Sequence, residues 1–357
     1  MASLLRPAAA ILFLAGCALA SSELVTPVKR DGCSTTRQAM PWSSLTSDEQ
    51  QSYIDATLCL MSTPASSDIG NASTRWDELQ YNHIYQTGWI HDVGQFLPWH
   101  RYFIAVHANM LRDACDYNGP LPYWDEISDS SLDDLADADV FQDDALGGTG
   151  SGDDSCITTG PFANITLTMQ SDGNTGSYCI SRDLQVSSLS GSTQASVDSC
   201  EDLDTYDDAW DCYYSTPPRR RPRCRRRPHA ERFPEPPETP IFFLHHTFLD
   251  ALWWKWQSAN LSSRLTEMGG QNQVDESECE FTSSQCPGDD ILNYDGDPGN
   301  TTTLNHTLWM YDLYPNRTVA DVMNINSTDV CIEYTYPDGE DYKLKERSFM
   351  EKLFGKH

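Results

Sequence analysis

At 357 residues the chain can bury a large core, as one big domain or two modest ones. A net charge of −29 excludes a nucleic-acid partner, whose phosphates such a surface would repel. After the N-terminus no segment is apolar enough to cross a bilayer, which excludes a membrane span.

In chain order, Arg6, the apolar run Ala8–Ala18 and the small-residue site Ala18-Leu-Ala20 read as a signal peptide over residues 1–20. The run is too short for a membrane anchor. Lys29-Arg30 closes a short propeptide, 21–30, so the expected product is secreted and extracellular. Asn71, Asn164, Asn260, Asn300, Asn305, Asn316 and Asn326 each begin an Asn-x-Ser/Thr sequon, as exposed loops of an exported glycoprotein do. The cysteines are scattered without Cys-x-x-Cys spacing, which in an oxidising compartment favours disulfides over zinc ribbons; their connectivity stays open.

A first helix is predicted over Thr46–Leu60, capped by Thr46 or Ser47. Trp76, Leu79, His83 and Gln86 form a helical stripe within Thr74–Gln86. A loop through Gly88 leads to His91. After Pro98, tolerated in a first turn, Trp99–Asp116 reads as a long helix with Phe103, Val106, Met110 and Leu111 inward. Pro120–Glu126 reads as an aromatic turn. Residues 127–212, rich in Asp, Ser, Gly and Thr, read as loop and irregular structure stapled by disulfides. Ile241–Trp256 is apolar nearly all round and therefore a buried helix. Leu308–Tyr336 alternates, with a short helix at Val319–Met323, and 337–357 is a charged tail.

The histidines carry the chemistry. His83 on a helix, His91 in a loop and His100 at a helix start can converge on one point, and helix bundles build such sites. Imidazoles without cysteine suit copper or zinc far better than calcium or magnesium. His246 and Asp250 are one helical turn apart, so the carboxylate can support its helix or a neighbouring imidazole. His107 reads as a packing residue, His306 and His357 as solvated ones.

The runs His83…His91…Phe-Leu-Pro-Trp-His100-Arg101 and Pro240-Ile-Phe-Phe-Leu-His245-His246-x-x-x-Asp250 resemble the tyrosinase/catechol oxidase family, and more narrowly its short secreted fungal type. The similarity spans Cys33 to Tyr336, within a copper domain of 31–336. It implies a mainly α fold, with a four-helix bundle core holding a binuclear copper site, long disulfide-stapled loops and few short strands. It assigns His83, His91 and His100 to the first of two copper ions and His246 to the second, with His245 beside the site. It also implies dioxygen and a phenolic small molecule as substrates, oxidised to o-quinones. Where some short members carry a thioether-forming cysteine, this chain has Trp89.

One stretch departs from the family. The resemblance calls for two further histidines one turn apart, about two dozen residues before His246, and counting back reaches Pro218 and Pro222. Eight of the 24 Lys and Arg residues fall in Arg219–Arg232, a block that would repel itself and never pack beside copper. One reading is a genuine basic loop. The other is that 218–239 is translated out of frame. Permissible codons for Pro218–Phe233 read one base forward can spell His-Gly-Gly-Gly-His, with the histidines in the registers of Pro218 and Pro222. Of the 12 cysteines, loss of Cys17 with the signal leaves an odd number, and loss of Cys224 with the shifted segment restores an even one. As written, the expected protein is an oxidoreductase with a half-filled second site, for which His229 is a poor substitute. The alternatives are an inactive member holding one copper or zinc, or an oxygen carrier of the hemocyanin type.

Overall fold

A computed structural model describes residues 33, 36–169, 175–215, 239–274 and 296–337. The signal, the propeptide, the arginine-rich run and all of the tail but Pro337 lie outside these, as do Cys224, Cys279, Cys286, His229 and His357.

The first strand, β1 (Arg37–Pro41), precedes α1 (Ser47–Ser62). Thr46 caps that helix: its hydroxyl accepts from the Glu49 amide, and Glu49 returns a bond to the Thr46 N–H. The same reciprocal cap, between Thr74 and Asp77, starts α2 (Arg75–Ile90). The second helix therefore runs further than the hydrophobic stripe foretold, and His91 is its C-cap rather than part of a loop. Next, α3 (Phe96–Cys115) begins at Phe96, ahead of the expected Trp99, with Pro98 inside its first turn. It stops at Asp116, which is left-handed at φ 55°.

The expected aromatic turn contains β2 (Leu121–Tyr123) and leads into α4 (Glu126–Asp129). Two small antiparallel hairpins follow, β3 (Gly150–Ser151) with β4 (Cys156–Ile157) and β5 (Thr166–Met169) with β6 (Thr175–Cys179). The expectation of irregular structure up to residue 212 fails beyond them. Helices α5 (Gln194–Glu201) and α6 (Tyr206–Ser215) are regular, and α6 buries Tyr206, Ala209, Trp210 and Tyr213 on one face. Acidic residues on the opposite face hide that stripe in the composition.

The remaining long helix is α7 (Pro240–Ser258), with proline at its first position, where a missing N–H costs nothing. Short elements complete the chain: α8 (Leu261–Arg264), the hairpin β7 (Thr307–Leu308) with β8 (Arg317–Thr318), α9 (Val319–Val322) and β9 (Ile332–Tyr334). Strands β2, β1 and β9 form one parallel sheet in that order, so both ends of the domain meet in it. The disulfide Cys33–Cys331 fastens this junction. Among the described residues, Cys59–Cys115, Cys156–Cys179 and Cys200–Cys212 also pair.

The fold is mainly α. Helix α3 packs against α1, α2, α6 and α7, and this explains why α3 and α7 are apolar nearly all round. Trp99, Phe103, Val106, Leu111, Leu244 and Trp253 are all buried there. Each such side chain contributes roughly 1.5–3 kcal/mol by leaving water. No helix among the described residues is long and apolar enough to cross a membrane.

Candidate metal centre

Two helices bring three imidazoles together. His83 projects from the middle of α2, His91 caps its end and His100 lies in the first turns of α3. Their candidate ligand nitrogens all lie within 4.8 Å of one another. His246, from α7, stacks on His100 with ring centroids 4.0 Å apart and planes 9° from parallel.

Hydrogen bonds set which nitrogen faces inward. His91 Nδ1–H donates to the Thr87 carbonyl at 2.9 Å, and His100 Nδ1–H to the Phe96 carbonyl at 2.8 Å. In a neutral ring this leaves Nε2 with the lone pair, the nitrogen a metal takes. Burial, then the charge of neighbouring imidazoles, holds His83, His100 and His246 well below the usual histidine range, so their rings stay neutral. Both nitrogens of His83, Nε2 of His100 and Nδ1 of His246 are buried without a hydrogen-bond partner. An unsatisfied buried polar atom costs about 1–3 kcal/mol, so four in one place call for a ligand. The donor set fits a borderline metal at the three-histidine group. On the other side, His246 is the one histidine that the described residues bring to the cluster.

The wall is aromatic. Phe242 lies 4.7 Å from the His83 ring and 4.4 Å from that of His246, centroid to centroid. Phe96 lies 4.6 Å from His100 and 5.8 Å from His246, and Tyr214 of α6 packs 4.8 Å from Phe96. In the sequence the phenylalanines around His100 and His246 read as core, although Phe96 and Phe242 each stand four residues before a histidine and so on its helical face.

His245 points away from its neighbour, with ring centroids 5.0 Å apart, and its Nδ1–H donates to the buried carboxylate of Glu126. Glu126 also accepts from Ser192 Oγ at 2.9 Å. Asp250 has the helix-supporting role rather than that of an imidazole partner: its oxygens are taken by Arg101 and by the Tyr334 hydroxyl. His107 is fully buried in the apolar core and stacked 3.7 Å from Phe243, the position of a packing residue; its nitrogens are unpartnered too, but it lies outside the three-histidine group. His306 is not solvated as expected. It is buried, with Nδ1 donating to Asp297 at 2.6 Å, because the loop closes over it.

This arrangement, helices presenting converging imidazoles inside an aromatic wall, defines a mainly α protein with a candidate metal centre. The family profile described as the common central domain of tyrosinase matches residues 73–221 and 228–259, and the chain belongs to the tyrosinase family. It is 28% identical to the tyrosinase-like protein phomQ1 of Diaporthe leptostromiformis, over 85% of this chain and 78% of that one. It is 24% identical to the N-acetyl-6-hydroxytryptophan oxidase ivoB of Emericella nidulans, over 82% of this chain and 90% of that one. A polyphenol oxidase variant from Thermothelomyces thermophila shares the fold, with a TM-score of 0.63 and 22% identity, covering 84% of this chain and 88% of that one. The family is one of copper oxidases.

Proposed function

We propose that the chain is an exported copper oxidase that takes phenols or o-diphenols to o-quinones with dioxygen. The four partnerless buried imidazole nitrogens carry this reading. His83, His91 and His100 hold the first copper, and His246 contributes to the second. Bound copper supplies the electron exchange with dioxygen. The protein's own part is placement. The Thr87 and Phe96 carbonyls fix the tautomers of His91 and His100, and the walls of Phe96 and Phe242 exclude water from the site. A relative named for oxidising a hydroxytryptophan supports a hydroxylated aromatic ring as substrate.

Export is supported by the disulfides and by the exposure of all seven sequon asparagines. The second site is short of ligands because 218–239 is out of frame, with histidines belonging at the registers of Pro218 and Pro222. Two observations support this. The family profile breaks off at 221 and resumes at 228, inside the arginine run. The last described turn of α6 lies beside the cluster, with Tyr214 packed against Phe96, the ring 4.6 Å from His100.

The literal sequence, with its half-filled site, is then a weak or inactive oxidase. The test is catechol turnover at copper saturation, for the chain as written and for one with His-Gly-Gly-Gly-His restored from position 218. Turnover in the restored chain alone is expected. Reversible oxygen uptake without turnover in the restored chain would point to a carrier and overturn the oxidase reading. Transcript reads that encode the arginines as written would end the frame argument.

A further inference from the structure

Ring contacts, with one hydrogen bond from Trp99 to the Trp309 backbone between them, lead from the three-histidine cluster to the surface. Trp99, 1% exposed, packs its indole 4.9 Å from the His100 ring and 5.8 Å from that of His83. Its Nε1–H donates to the Trp309 carbonyl at 3.3 Å. The Trp309 ring lies 6.5 Å from Tyr311, and Tyr311 meets Tyr85 edge-on at 5.0 Å. Tyr85, 43% exposed, is the exposed large apolar side chain among the described residues, and it stacks on Tyr81 at 5.5 Å.

Indoles and phenols are the side chains that most readily give up one electron, and ring contacts and hydrogen bonds are routes by which an electron can pass between them. We infer that Trp99, Trp309, Tyr311 and Tyr85 form an outlet that carries oxidising equivalents from the copper site to the surface when no phenol is bound. The inference rests on copper binding at His83, His91 and His100, and it needs no second copper. Hydrogen peroxide would be the oxidant, and copper held by His83, His91 and His100 would supply the electron exchange: each peroxide would take two electrons and two protons, one of each per event, and leave as two waters. Tyr85 loses one electron through this route and its phenolic proton to water. An outside reductant of the phenol or ascorbate class restores it.

The oxidised state settles on Tyr85 because that ring is the 43% exposed end of the route, where water is at hand to take the proton a phenol loses on oxidation. Without the outlet, the oxidant would attack the imidazoles that hold the metal.

The test treats the full-length, copper-loaded chain with hydrogen peroxide and a nitroso spin trap, without phenol, and locates adducts by mass spectrometry. Copper content is measured on the same sample. The expected result is a trap adduct at Tyr85 that is absent from the copper-free protein. It should fall at least about fivefold in Trp99→Phe and Tyr311→Phe, while oxidation of His83, His91 and His100 rises. Tyr311→Phe leaves the core intact and keeps the test valid if Trp99→Phe does not fold. An adduct that both variants leave unchanged, or none in a chain shown to hold copper, overturns the outlet alone. A chain that binds no copper overturns the proposed function, and the outlet falls with it.

Discussion

Arg101 Nε lies 2.5 Å from Asp250 Oδ1, joining the residue after His100 to the residue one turn beyond His246. The pair is buried, and most of its polar atoms are bonded, Arg101 Nη2 being left without a hydrogen-bond partner. Arg101 Nη1 donates to Gln257 Oε1 at 2.8 Å and to the Met323 carbonyl at 2.9 Å, and the guanidinium lies 3.7 Å from the centre of the Trp253 ring. Tyr334 donates to the second Asp250 oxygen. The clamp therefore sets the approach of α3 to α7, and with it the distance between the histidines those helices carry.

Removing one partner leaves the other charged and buried, which costs about 3–5 kcal/mol. Arg101→Met and Asp250→Leu alone are each expected to lose that much in urea unfolding, and the double substitution to recover most of it. Full additivity of the two losses would contradict the clamp.

His107 makes acid stability measurable. Burial lowers its pKa from 6.5 to about 3. The folded state thus resists protonation while the unfolded state accepts it, so stability falls as pH drops from about 6.5 towards about 3. Between pH 7 and pH 5 this single ring should cost about 2 kcal/mol. His107→Leu should remove that share of the acid loss. An unchanged difference between the two pH values in urea titrations would show that the ring is not held neutral.

The Cys59–Cys115 bridge closes a sequence separation of 56 residues and ties the end of α1 to the end of α3. Loop-closure entropy for that length is worth about 4 kcal/mol. The double Cys→Ala variant should unfold at correspondingly lower urea, and equal midpoints would place the stabilisation elsewhere.

What the sequence made legible was local. His83, His91 and His100 stand within one short stretch, and the caps at Thr46 and Thr74 lie beside the helices they start. The Phe-Leu-His-His run announced α7 by its length and apolarity. Helix α6 escaped because Asp207, Asp208 and Asp211 dilute the stripe of Tyr206, Trp210 and Tyr213 in any measure of composition. Asp250 was assigned a local choice of partners, but its guanidinium partner comes from 149 residues away. Glu126 met His245 across 119 residues, with no trace in either neighbourhood. The burial of His306 belongs to the same class, since a sequon marks Asn305 as exposed and says nothing of the next side chain.

The most direct test is metal analysis of the purified full chain, as written, after copper loading and dialysis at neutral pH. Roughly one copper per chain is predicted, lost on His83→Ala or His100→Ala and retained in His107→Leu, because a neutral imidazole triad is a sufficient copper site. A copper-free product would contradict the centre itself, and a pair of coppers would contradict the incomplete second site.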